Sequence, residues 1–253
     1  MPTTAVALPA HAKVNLHLRV ERRRPDGMHE LHTHFQALAL HDLLLAEPAI
    51  RTSLEGGHED DLVLRALSAL EAWAGRAMPT RLRLVKRIPA GSGLGGGSSD
   101  GAAAVRLLAR LHRVDADLAL IASELGADVP FFLRGGAAVG TGRGEHLQPV
   151  ATIPGWFALA WPGFSVSTAA VYAAWDRLGG EGRNELQRAA FAIEPRLCTF
   201  AAQLRARDSR WLMTGSGAAF FLHTPSSAEA ERAVRGLDCW TAVTRPVGRW
   251  AGR

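Results

Sequence analysis

With 253 residues, 47% of them hydrophobic and 21% charged, the chain has an ordinary globular composition and room for one large domain or two modest ones. No run approaches the ~20 apolar residues of a membrane span, and the opening MPTTAVALPAHAK lacks the basic start of a secretory leader. A formal charge of +5 and a pI near 10.2 suit any polyanionic partner. The arginines are dispersed, however, and no aromatics interleave the one run, Arg22 to Arg24, so it reads as a solvated turn rather than a nucleic-acid surface.

Taken in chain order, residues 5 to 20 alternate like a strand, and Phe35 to Ile50 reads as two more. Helical spacing over Asp61 to Ala74 precedes a strand at Arg81 to Ile88. That strand runs into Pro89-Ala-Gly-Ser-Gly-Leu-Gly-Gly-Gly-Ser-Ser-Asp100, and an alanine-rich helix follows from Ala102 to Leu111. A helix at Asp117 to Leu125 leads into Gly126-Ala127-Asp128-Val129-Pro130. A short strand at Ala137 to Val139 and a glycine-rich turn then lead to Val150. The best domain boundary lies near Gln148 to Gly155, dividing residues 1–150 from 151–253. Beyond it come a buried strand (Phe157 to Trp161), helical segments (Thr168 to Leu178, Asn184 to Leu204), a strand–turn–strand around Thr214 to His223, and a helix at Ser227 to Arg235. Periodicity alone establishes mixed α/β. Cys198 and Cys239 form neither a C-x-x-C pair nor a disulfide framework, which implies two buried thiols in a reducing, cytoplasmic setting.

The five glycines between Gly91 and Gly97 mark a backbone that must approach something closely. A loop of this kind opening a helix aims N–H groups and the positive helix end at one spot, which suits a phosphate. The plain alternative, a surface turn capped by Ser98, Ser99 or Asp100, needs one cap and no glycine cluster. A Walker loop needs a lysine before its Ser/Thr, and none is present. Gly91, Gly93 and Gly96 spell the dinucleotide G-x-G-x-x-G. The acids at the required offset, Asp115 and Asp117, lie between helical segments where that motif needs a strand, so a dinucleotide oxidoreductase is the weakest reading. Elsewhere, Asp128 beside Gly126 and Pro130 reads equally as a base or as a cap. Lys13 in an apolar strand reads most simply as a lysine reaching to solvent, with Asn15 on the same face.

The longer signature P-x-x-x-G-L-G-G-G-S-S, from Pro89 through Gly93, Leu94, Gly95, Gly96, Gly97, Ser98 and Ser99, resembles the GHMP family of small-molecule kinases. Four further blocks fall in family order: Ala12-Lys13-Val14-Asn15-Leu16, Arg24 to Leu31 (RPDGMHEL), Gly126 to Phe132 (GADVPFF) and Met213 to Ala218 (MTGSGA). RPDGMHEL and GADVPFF are closest to the branch acting on a diphosphocytidyl alcohol.

The resemblance implies an α+β two-domain fold, with an N-terminal unit like domain 2 of ribosomal protein S5, a C-terminal ferredoxin-like α/β sandwich, and the active site in the cleft between them. It implies ATP-dependent phosphorylation of the 2-hydroxyl of a diphosphocytidyl methylerythritol on the non-mevalonate route to isoprenoid precursors. Asp128 and Lys13 become the catalytic pair, with Asn15 beside them. Pro89, Gly91 and the rest of the loop, with Asp61, become the ATP site. His29, Met28, Tyr172, Thr214 and Gly215 join Asn15 on the acceptor side. His29 would read the cytosine and Tyr172 stack on it. Met28 stands where the branch usually has an aromatic, so the hypothesis is that cytosine is held less firmly on one face. Asp61 stands where the family often has Asn.

No His/Cys cluster has metal-site spacing. The expected metal is therefore Mg²⁺ arriving with ATP, held partly by phosphates and touched by Ser98 or Ser99, with no protein ligand assigned. The partners expected are the cytidyl substrate and ATP, with no nucleic acid and no membrane, and the chain a monomer or weak homodimer. The rivals are another GHMP kinase (homoserine or mevalonate kinase-like) and an RNA-binding protein of related N-terminal fold. The latter has no use for Lys13, Asp128 and the loop together.

Overall fold

Alternation near the N-terminus produces two very long strands, β1 (Val6–Arg23) and β2 (His29–Pro48), paired antiparallel along almost their whole length. The computed structural model of the chain describes residues 5–250. The two strands expected between Phe35 and Ile50 are one. His41-Asp42 resembles a turn signal, but the Asp42 carboxylate is fully buried and accepts from Lys86 Nζ and from the Arg87 and Ile88 N–H groups. A polar residue satisfied in this way leaves the strand unbroken.

β2 is the hub of the first sheet. Along one edge it holds β1. On the other it holds β4 (Thr80–Val85), which pairs parallel with β3 (Ser53–Glu55), and then β5 (Ala137–Thr141), which carries β6 (His146–Val150). Four helices, α1 (Leu62–Ala74), α2 (Gly96–His112), α3 (Leu118–Leu125) and α4 (Val129–Arg134), cover one face. Their core joins Leu67, Leu70, Val105, Leu108 and Phe131 to Phe35, Leu44 and Leu82. Asp61 and Asp117 cap α1 and α3 through their carboxylates.

After Val150 the chain changes sheets. β7 (Trp156–Trp161), β8 (Leu212–Met213), β9 (Phe220–Thr224) and β10 (Trp240–Thr244) pair antiparallel in the order β10-β7-β9-β8. With α5 (Thr168–Leu178) and α8 (Ser227–Val234) this is a β-α-β-β-α-β unit, enlarged by α6 (Gln187–Ile193) and α7 (Pro195–Arg207). β7 alternates between two cores: Ala158 and Ala160 face α5–α8, whereas Phe157 and Leu159 pack toward Ala12, Val14 and Leu38 of the first sheet. The layers therefore run helices, sheet, sheet, helices.

The single helix expected from Asn184 to Leu204 is interrupted. Pro195 has no N–H to continue α6 and instead opens α7, with Glu194 as its cap. β10, which the sequence reading did not anticipate, completes the second sheet. Cys198 is exposed rather than buried, because α7 turns Leu197, Ala201 and Leu204 inward and leaves the next residue outside; Cys239 is half-buried. The last segment returns to the first sheet, where Val247 N–H donates to Ala37 and the Trp250 indole to Leu133.

Candidate active site

Between the two units lies a cavity of about 1130 Å³. Its floor is the start of α2. Gly95, with φ +77°, is the N-cap and offers no side-chain cap, and the acid-free first turn is Gly96, Gly97, Ser98 and Ser99. The helix begins inside the glycine run, well before Ala102, and neither serine nor Asp100 caps it. Its first N–H groups thus face the cavity without side-chain partners, at the positive end of a 17-residue helix. A Cβ at Gly95 would lie 2.7 Å from Phe132 Cζ and 3.0 Å from Lys13 Cγ. The backbone must pass close there, and glycine is what the position admits.

The loop ties the two units together. Lys13 N–H donates to Leu94 O (2.9 Å), and Ala219 N–H donates to Ser92 O (2.8 Å). Leu94 itself is fully buried between the sheets, Ser99 is buried inside α2, and Thr214 is buried beneath Asn15. These three side chains do not line the cavity. Pro89, Gly91, Gly93, Gly95, Gly96, Gly97 and Ser98 do.

Across from the helix end sits a connected polar row. Lys13, only 4% exposed, donates to Asn15 Oδ1 at 2.7 Å and stands 3.5 Å from Asp128 Oδ2. Asn15 donates in turn to Thr33 Oγ1 (2.7 Å), and its backbone N–H to Thr214 Oγ1 (2.8 Å). Asp128 precedes α4 and makes no capping bond, so its carboxylate is free for the cavity, one-third exposed beside the lysine. Asn184, which the sequence reading placed at the start of a helical segment and gave no role in the site, donates to both Met213 O and Gly215 O at 2.9 Å and accepts from Leu186 N–H. It shapes the turn that carries Gly215 into the cavity.

At the far end, His29 is buried, with its ring stacked on Tyr172 at 4.7 Å and 23°. Burial, and secondarily the Asp128 charge, push the Tyr172 phenol above its ordinary range. Met28 is exposed beside them at the mouth. At the opposite end Asp61 lines the cavity with Gly57 and Lys86, while its Oδ1 accepts from Val63 N–H. Among the described residues no group of three His, Cys, Asp or Glu is arranged for a metal, and no helix is long and apolar enough to cross a membrane.

An uncapped helix N-terminus facing a buried lysine and its carboxylate partner, in a cavity that the second unit closes, is the architecture of a small-molecule phosphotransferase. The model of the GHMP kinase N-terminal domain matches residues 61–136, and the chain belongs to this α+β kinase family, in its 4-diphosphocytidyl-2-C-methyl-D-erythritol kinase branch. The Thermus thermophilus enzyme of that name is 40% identical over 96% of this chain and 94% of its own. The Halorhodospira halophila enzyme is 36% identical over 96% and 90%. A crystal structure of 4-(cytidine 5'-diphospho)-2C-methyl-D-erythritol kinase superposes with a TM-score of 0.81 at 37% identity, covering 96% of this chain and 99% of that one. A homoserine kinase from Cytophaga hutchinsonii shares the fold alone, at a TM-score of 0.62 and 16% identity over 98% and 96% of the two chains.

Proposed function

We propose that this protein transfers the γ-phosphoryl group of ATP to the 2-hydroxyl of 4-diphosphocytidyl-2-C-methyl-D-erythritol, giving the 2-phosphate and ADP. The observation that carries the reading is the Lys13–Asp128 pair, 3.5 Å apart, opposite the uncapped N-terminus of α2. Residues 1–150 hold ATP and residues 151–253 complete the acceptor side. The N–H groups of the α2 first turn receive phosphate oxygens. Adenine lies toward Asp61, and the cytidine toward His29 and Tyr172.

The acceptor oxygen attacks the γ-phosphorus, the bond to the β,γ-bridging oxygen breaks, and the hydroxyl proton passes to the Asp128 carboxylate. Lys13 offsets the negative charge that gathers as the alcohol loses its proton, and Asn15 keeps Lys13 aimed. Among the described residues no His, Cys, Asp or Glu cage forms, so a Mg²⁺ would be held mainly by ATP phosphates, and Ser98 is the cavity-lining serine that would contact it. When bound, it would neutralise phosphate charge. The enzyme works in the cytoplasm, as a monomer or weak homodimer; its exposed, unpaired Cys198 suits a reducing compartment.

The test is ADP release with Mg·ATP and a panel of acceptors: the cytidyl compound, mevalonate, homoserine and galactose. Turnover with the cytidyl compound alone is expected, and turnover with another acceptor instead discards the substrate. Asp128→Ala lowers kcat by orders of magnitude with ATP affinity nearly intact. A loss of only a fewfold removes the general-base role.

A further inference from the structure

The ring of His29 is gripped by one face of α5. Tyr172 stacks on it, Trp175 meets it edge-on at 5.7 Å and 86°, and Asp176 Oδ1 lies 2.7 Å from its Nε2. The Asp176 side chain is itself one-quarter exposed, with its other oxygen 3.9 Å from the largely exposed Arg23. Among the described residues the His29 ring makes its one hydrogen bond through Nε2, leaving Nδ1 without one, and His29 lines the cavity.

A carboxylate accepts and does not donate, so it keeps the ring proton on Nε2. With the ring in its neutral form, Nδ1 is then a lone-pair acceptor on a residue that lines the cavity. Fixing one histidine nitrogen through a carboxylate on the other is how outer partners set a tautomer.

We infer that Asp176 is a specificity-determining positioning residue: by holding the His29 proton on Nε2 it makes Nδ1 an acceptor that selects an amino-bearing pyrimidine over an oxo-bearing one. Cytosine offers its exocyclic N4–H₂ as donor. Uracil has a carbonyl at the same place, which meets a lone pair instead of a proton, and a site built for one hydrogen bond rejects the analogue that leaves it unmade. The inference rests on the cytidyl reading above. Its own content is the role of Asp176, which acts through His29 and touches no reacting atom.

The experiment compares kcat/KM for the cytidyl acceptor and its uridyl analogue in the wild type, Asp176→Asn and Asp176→Glu. An amide can accept from Nε2–H or donate to bare Nε2, so it no longer dictates the tautomer. The expected result is a cytidyl-over-uridyl preference at least tenfold smaller in Asp176→Asn. The change arises through KM, with kcat for the cytidyl acceptor within about threefold, and Asp176→Glu restores most of the preference. An unchanged preference in Asp176→Asn, or equal losses on both acceptors, overturns the inference. A wild type that turns over neither acceptor refutes the cytidyl reading instead. Nitrogen-15 NMR of histidine-labelled wild type gives a readout independent of how the variants fold. A proton on Nε2 of His29 is expected, and one on Nδ1 alone overturns the assignment.

Discussion

Asp100 is a buried carboxyl with half its hydrogen-bonding capacity unused, and replacing it with Asn changes how stability depends on pH. It is 1% exposed on α2; Oδ2 accepts from Lys86 Nζ at 2.6 Å, while Oδ1 has no partner. Burial outweighs the attraction of Lys86, and the nearby Asp42 and Asp61 charges add to it, so the group is pushed up to about 7 from 3.8. The folded pKa therefore lies above the unfolded one. The stability this carboxyl contributes is complete below about pH 4 and is lost as pH rises toward 7. At about 1.4 kcal/mol per unit, wild type loses about 2–3 kcal/mol from this group between pH 5 and pH 8. Asp100→Asn has the same shape, keeps an acceptor for Lys86, and leaves that lysine's charge paired with Asp42. It has no such loss. Urea denaturation of both proteins at pH 5, 6, 7 and 8 measures the difference. The variant should gain about 2–3 kcal/mol on wild type across the series, roughly 4–12 °C in Tm for a chain of this size. Parallel stability profiles refute the reasoning.

Two other outcomes follow from the cavity. Gly95→Ala adds a methyl group against Phe132 and Lys13 at a left-handed backbone position, and should lower kcat/KM at least tenfold and weaken ATP binding. Calorimetric ATP affinity and turnover both within twofold of wild type show that the loop has room. Met28→Tyr places an aromatic at the exposed mouth beside the His29–Tyr172 stack and should lower KM for the cytidyl acceptor. An unchanged or higher KM counts against a role for Met28 in holding the base.

Much of the architecture was legible because it depends on near neighbours. Glycines before an alanine-rich run announce a helix with an open N-terminus, and apolar spacing placed α1, α3 and α5 within a residue or two. Where local signals misled, a distant partner was responsible. Asp42 looks like a turn residue until Lys86 and the N–H groups of Arg87 and Ile88 reach it, and Lys13 looks like a surface lysine until Asp128 arrives beside it. Asn184 reads in sequence as the start of a helix that in fact begins at Gln187, and its two carbonyl acceptors lie in a segment that the chain reaches only after α6 and α7.

The amino-acid sequence by itself determined most of the elements and the glycine-rich loop that opens α2, because helix ends, strand alternation and tight glycine backbone are governed by residues within a few positions of one another; the kinase family came from the resemblance of its motifs. Only the tertiary structure decided the partners of the charges. It brings Lys13 on β1 to Asp128 at the start of α4 within the first unit, couples His29 on the first sheet to Asp176 on a helix of the second unit, and leaves Asp100 buried with one oxygen unpaired. The strength of a charge depends on its distance from other charges and from water, and both are set when remote segments of the chain pack together.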